Sequence, residues 1–142
     1  MGIGYQAYER SKLLTSDPKR LVLLCYEEAV RSLEEARARY LCEDYEAKAR
    51  AVQKALDLLN HLREALDFEK GGEIARNLDR LYGFMIAHLL KSDQRKDVKG
   101  IDQVSKMLQE LKWAWEEAFR QVPALSEEER VLSSPLPGVS IR

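Results

Sequence analysis

Apolar residues recur at spacings of three and four along four long stretches of the chain, the period of one face of a helix. In the first stretch Val22, Cys25, Tyr26, Ala29, Leu33, Ala36 and Tyr40 form the stripe, and Leu21, Leu23, Leu24 and Val30 widen it. Asp17-Pro18 opens this helix, because Asp accepts from free helical N–H groups and Pro has the φ of a first helical residue. Cys42-Glu43-Asp44 is a short connection, and short connections favour antiparallel neighbours. The second helix is predicted over Tyr45–Phe68, with Val52, Ala55, Leu59, Leu62 and Leu66 as its seam and Leu56 and Leu58 widening the arc. Arg50, Gln53, Lys54, Asp57, Asn60 and Glu64 fall on its solvated side.

Gly71-Gly72 then breaks the pattern, since glycine supplies left-handed backbone and weakens a helix interior. Beyond it Ile74, Leu78, Leu81, Met85 and Leu89 make a third stripe, followed by a polar connection at Ser92–Lys96. From Leu81 to Leu90 the one strongly polar side chain is His88. At about 100° per residue, Tyr82, Ile86 and Leu90 flank the stripe on one side and Phe84 on the other. A bundle helix needs one apolar stripe, so the excess must meet another segment of the chain or a partner. Asp97–Phe119 is the fourth helix, with a narrow stripe of Ile101, Val104, Leu108, Leu111, Trp115 and Ala118 and with Trp113 on its polar side. The pattern predicts an all-α protein: an antiparallel up-down four-helix bundle over residues 17–120, preceded by a short N-terminal segment. Residues 121–142 form a C-terminal tail. Val122-Pro123 ends the bundle, Ser126–Glu129 reads as a capping box for a short helix, and the Pro- and Gly-bearing remainder reads as largely disordered. Residues 1–16 carry Ile3, Tyr5 and Tyr8 without a helical period, as either a frayed tail or a lid that packs reversibly on the body.

Charge and candidate chemistry narrow the function. With 142 residues, 33% charged residues and a net charge of −1, the chain has neither a basic field nor a Lys/Arg run to recruit nucleic acid or anionic lipid. No apolar run approaches the ~18 residues of a membrane span, and the N-terminus lacks an apolar signal region. Gln6 stands where a myristoylation motif at Gly2 needs Ser or Thr. Cys25 and Cys42, carried on one helix, stand ~25 Å apart, too far for a disulfide, which points to reduced thiols in a cytoplasmic protein. Neither His61 nor His88 has the Glu-x-x-His spacing of a di-iron bundle, and no paired histidines or CxxC offer zinc a site. No P-loop or nucleophile elbow occurs, and the acidic residues around Gly71-Gly72 lack the spacing of a calcium loop. An enzyme, a resident metal and a cofactor are therefore not expected.

Three motifs resemble those of one family, the flagellin-specific flagellar export chaperones of the FliS family. Its first motif is a tyrosine, then Thr-Ala-Ser-Pro, then a Leu-rich turn ending Leu-Tyr-Glu/Asp-Gly-Ala; here Tyr8, Thr15-Ser16-Asp17-Pro18, Leu21 and Tyr26-Glu27-Glu28-Ala29 follow it. The second is a Leu-Asp-x-Glu-x-Gly-Gly-Glu-Ile-Ala-x-Asn-Leu-x-x-Leu-Tyr run, matched by Leu66-Asp67, Glu69, Gly71 to Ala75, Asn77-Leu78 and Leu81-Tyr82. The third, a closing Leu and Trp, is matched by Leu111 and Trp115. Asp17, Cys25 and Glu28 depart from the pattern in ways that bear on local packing, and the likeness spans about residues 5–119. It implies a non-enzymatic cytoplasmic chaperone, with no ATP or cofactor. Such a chaperone binds the disordered C-terminal segment of flagellin, prevents its premature polymerisation and delivers it to the cytoplasmic domain of the flagellar type III export gate. The family's N-terminal arm is thought to lie over the client surface and rearrange. Joined with the wide apolar arcs, this makes Ile3, Tyr5, Tyr8, Leu56, Tyr82, Phe84, Ile86 and Leu90 the expected partner-binding residues. Nucleic-acid binding and membrane insertion are not expected, and weak self-association is possible while the client is absent. The alternative is a homo-oligomerising helical-bundle interaction protein without a flagellin client, whose excess apolar faces meet another copy.

Overall fold

A computed structural model describes residues 18–121 as four helices: α1 Pro18–Leu41, α2 Tyr45–Glu64, α3 Phe68–Arg95 and α4 Val98–Gln121. Their packing closes a ring, α1 on α2, α2 on α3, α3 on α4 and α4 on α1. Cross-links show every neighbouring pair to be antiparallel. Lys54 reaches Glu28 between α2 and α1, Arg63 reaches Asp79 between α2 and α3, and His88 reaches Gln103 between α3 and α4. Between α1 and α4, Lys112 meets Glu27 near one end and Arg37 meets Asp102 near the other. The up-down bundle read from the apolar pattern is the architecture found. The predicted cap at Asp17, the arm at residues 1–16 and the tail from residue 122 on lie outside the described residues, while Gln121, expected to begin the tail, is the last residue of α4.

Helix ends are set by side-chain caps and by two residues with left-handed backbone, Glu43 and Lys96. Asp44 accepts from the Ala47 N–H at 3.2 Å to start α2. Glu43 before it has φ 61°, which turns the chain within three residues. Helix α2 stops at Glu64 rather than Phe68, because Asp67 caps a new turn by accepting from the Glu69 and Lys70 N–H groups, both at 3.1 Å. The glycine pair thus lies just inside α3, as a kink at Gly72 (φ 51°, ψ −123°). Helix α3 also runs through most of the predicted polar connection to Arg95, where Lys96 in the left-handed region (φ 54°) ends it.

Tyr26, Leu33, Leu59, Met85, Leu89, Val104 and Leu108 fill the centre of the core. The wide arc of α2 is consumed inside the bundle, since Leu56 and Leu58 are both buried. Two polar features accompany the apolar packing. Lys48 is buried and paired with Asp93 across α2 and α3. Trp115 Nε1 donates to the Tyr26 hydroxyl at 2.8 Å, and that hydroxyl shares a 2.5 Å hydrogen bond with Tyr82. This buried chain ties α1, α3 and α4 together.

Helices α3 and α4 approach closely at Gly100, where an added Cβ would lie 1.5 Å from Ser92 Oγ and 2.5 Å from Ser92 Cβ. Rotating the serine hydroxyl away does not clear its Cβ, so the helices themselves must move. Gly100→Ala is expected to cost about 1–3 kcal/mol despite its gain in helix propensity. Ser92→Gly in the same chain should recover part of that loss, a non-additivity measurable by a denaturant double-mutant cycle.

Candidate partner-binding surface

The excess apolar residues of α3 divide by position rather than forming one face. Tyr82 is 1% exposed and Leu56 6% exposed, so both belong to the core and neither is accessible to a partner in this structure. The reason at Tyr82 is its hydroxyl, which burial leaves satisfied by Tyr26 and so permits the ring to turn inward. Ile86 is half-buried against the core. Leu90 and Phe84 are exposed at 49% and 54%. On the helical wheel Leu90 and Ile86 fall toward the α2 side of α3, whereas Phe84 falls toward α4. There its ring stacks on His88, with centroids 5.4 Å apart, and His88 Nε2 lies 2.5 Å from Gln103 Oε1. Ile3, Tyr5 and Tyr8 lie outside the described residues.

Other large apolar residues are exposed as well. Phe68 and Ile74 flank the Gly72 kink at 49% and 46% exposure. Ile74 shares the inward stripe of α3 and was expected in the core; the helix end leaves it uncovered. Leu41 and Tyr45 mark the α1–α2 corner, where the Lys96 ammonium sits 5.3 Å from the centre of the Tyr45 ring. Trp113 is 65% exposed on α4; its place on the polar side of the wheel was the signal for that. A shallow groove between α1 and α4 holds Val30 among Glu27, Arg31, Glu34, Gln109 and Lys112. The Glu27–Lys112 ion pair beside it leaves a polar surface unlike an apolar small-molecule pocket.

Among the described residues no group of three His, Cys, Asp or Glu is placed to hold a metal ion. No helix among them is long and apolar enough to cross a membrane. Among the described residues the surface carries separated apolar edges, at Phe84, at Leu90 and at Phe68 with Ile74.

A family model described as "Flagellar protein FliS" matches residues 1–122. The chain is similar to the flagellar secretion chaperone FliSB of Pseudomonas aeruginosa, at 40% identity over 101 residues, 71% of this chain and 80% of that one. It is 35% identical over 119 residues to the flagellar secretion chaperone FliS of Salmonella typhimurium, covering 80% of this chain and 88% of that one. The flagellar secretion chaperone FliS of Vibrio cholerae is 32% identical over 116 residues, covering 79% of this chain and 85% of its own.

Proposed function

Because this chain belongs to the FliS family, we propose that it is a non-enzymatic, cytoplasmic export chaperone for flagellin. It binds the C-terminal segment of flagellin, keeps that segment from polymerising early and delivers it to the cytoplasmic domain of the flagellar type III export gate. The observation that carries this reading is the exposure of Phe84 and Leu90 on α3, a helix whose own core stripe is already filled by Leu78, Met85 and Leu89. Flagellin termini form an amphipathic coiled-coil core in the filament, so an unassembled terminus is a sticky strip. Apolar edges of a bundle cover such a strip by helix-in-groove contacts. Ordering a disordered client consumes binding energy, which favours several spaced contacts over one deep pocket.

Calorimetry with a C-terminal flagellin fragment should show one-to-one binding with a negative heat-capacity change, and circular dichroism a gain of helix. Leu90→Asp and Phe84→Asp are expected to weaken binding by about tenfold or more. Neither should shift stability by more than about 0.5 kcal/mol, since both side chains are exposed. A tight dimer that ignores the fragment in sedimentation would instead favour the homo-oligomerising bundle.

A further inference from the structure

Phe84 and His88 stand one turn apart on α3, the spacing at which side chains on a helix meet. Their rings stack nearly parallel, with 13° between the planes and 5.4 Å between the centroids. The imidazole beneath is fixed from the neighbouring helix. An amide oxygen can only accept, so His88 Nε2 donates to Gln103 Oε1, at 2.5 Å. The same nitrogen lies close over the α4 backbone, where a Cβ added to Gly100 would stand 3.5 Å from it. His88 is therefore half-buried and tied to α4, while the phenyl ring it supports is 54% exposed. That support is particular to Phe84. Phe68 and Trp113, exposed at 49% and 65%, have no ring stacked on them among the described residues.

An exposed phenylalanine on a helix is free to turn about its side-chain bonds, and a partner that immobilises it loses affinity by doing so. A ring already laid against a fixed imidazole has given up that freedom before the partner arrives. Its inner face is covered and its outer face is presented, which is the kind of rigid aromatic contact that binding surfaces favour. We propose that His88, with Gln103 behind it, is a positioning residue for client binding: it holds Phe84 in the orientation in which the client meets it. This rests on the chaperone reading above, which makes Phe84 a contact. His88 acts through that ring and not by touching the client. Gln103 acts one step further back, by setting the imidazole.

The test is calorimetry with the C-terminal flagellin fragment on four full-length proteins: the parent, His88→Ala, Phe84→Ala and the double variant. His88→Ala should weaken binding about three- to tenfold when Phe84 is present, the loss expected from one side chain that must be ordered on binding. In the Phe84→Ala background the same change should alter affinity by less than about twofold. Gln103→Ala should give a smaller loss than His88→Ala, again only with Phe84 in place. A second readout needs no client. In the free protein the ring protons of His88 should move downfield in Phe84→Leu, which removes the ring current above them, while those of His61 stay where they are. Equal losses from His88→Ala in both backgrounds would make His88 a contact or a structural tie and overturn the assignment. Unchanged affinity in His88→Ala, or His88 protons that do not move, would overturn it as well. A parent that fails to bind the fragment would sink the chaperone reading and this assignment with it, whereas a parent that binds and an additive cycle would sink the assignment alone.

Discussion

Tyr26→Phe should lower the stability of the bundle by about 2–4 kcal/mol, although it removes one oxygen atom and leaves the ring in place. The Tyr26 hydroxyl is the middle of a buried three-residue chain: it accepts from Trp115 Nε1 at 2.8 Å and shares a 2.5 Å bond with Tyr82. Deleting it strands the indole N–H and the Tyr82 hydroxyl together, and each stranded buried group costs about 1–3 kcal/mol. Tyr82→Phe should cost less, about 1–2 kcal/mol, because Tyr26 keeps Trp115 as a donor. Tyr26→Ala adds a cavity and should be worst of the three. Urea titration at constant m-value reads this order directly. Equal losses for the two Phe variants would show that the chain is not centred on Tyr26.

The same chain sets a pH dependence. Burial pushes the Tyr26 pKa up from 10.0 to about 12, against the opposing effect of its hydrogen bonds from Tyr82 and Trp115. Burial, with Tyr26 beside it, also drives Tyr82 well above its ordinary value. Above pH 10 the unfolded chain releases these protons while the native protein retains them, so the unfolded state binds fewer protons and stability falls as pH rises. The contribution is complete below about pH 10 and is lost by about pH 12 at Tyr26. Tyr26→Phe should show a shallower alkaline decline than the parent.

Asp93→Ala is the second large effect, with an expected loss of about 2–3 kcal/mol. Its partner Lys48 has a side chain only 6% exposed, so removing the carboxylate leaves an ammonium with neither water nor a counter-charge. Asp93 itself is 36% exposed, which places the loss below that of a fully enclosed pair. Lys48→Met removes the costly group instead, fills similar volume and should stay within about 1 kcal/mol of the parent. Thermal melts of the two variants make the comparison. Similar melting points would mean that the lysine head reaches solvent in solution by straightening its stem.

The apolar period located all four helices because a bundle has one requirement per helix, a buried stripe. Leu33, Leu59, Leu89 and Leu108 meet it as read. Helix ends were less legible. Glu43 and Lys96 adopt left-handed backbone without being glycine, and the cap at Asp67 moved the α2–α3 boundary ahead of the glycines. Burial at the margins of a stripe was less legible still. Leu56 and Tyr82 sit where the wheel predicts an edge, but the width of a covered arc depends on how closely the neighbouring helices approach. Ile74 fails in the opposite sense, because it lies just past the Gly72 kink and periodicity carries no information about where the bundle ends. Lys48 had no signal at all. A lysine near a helix start reads as solvated until the fold brings Asp93, 45 residues away, beside it.

The two thiols differ in depth: Cys25 is 5% exposed within α1, while Cys42 lies exposed just past its end. A maleimide fluorophore will therefore mark Cys42 of the native protein first and reach Cys25 only when α1 lifts from the bundle. The unmodified protein thus holds a site-selective label at the α1–α2 corner, away from Phe68 and Ile74 at the opposite end. It also holds an internal clock, since the rate of the second alkylation reports how often the first helix comes free.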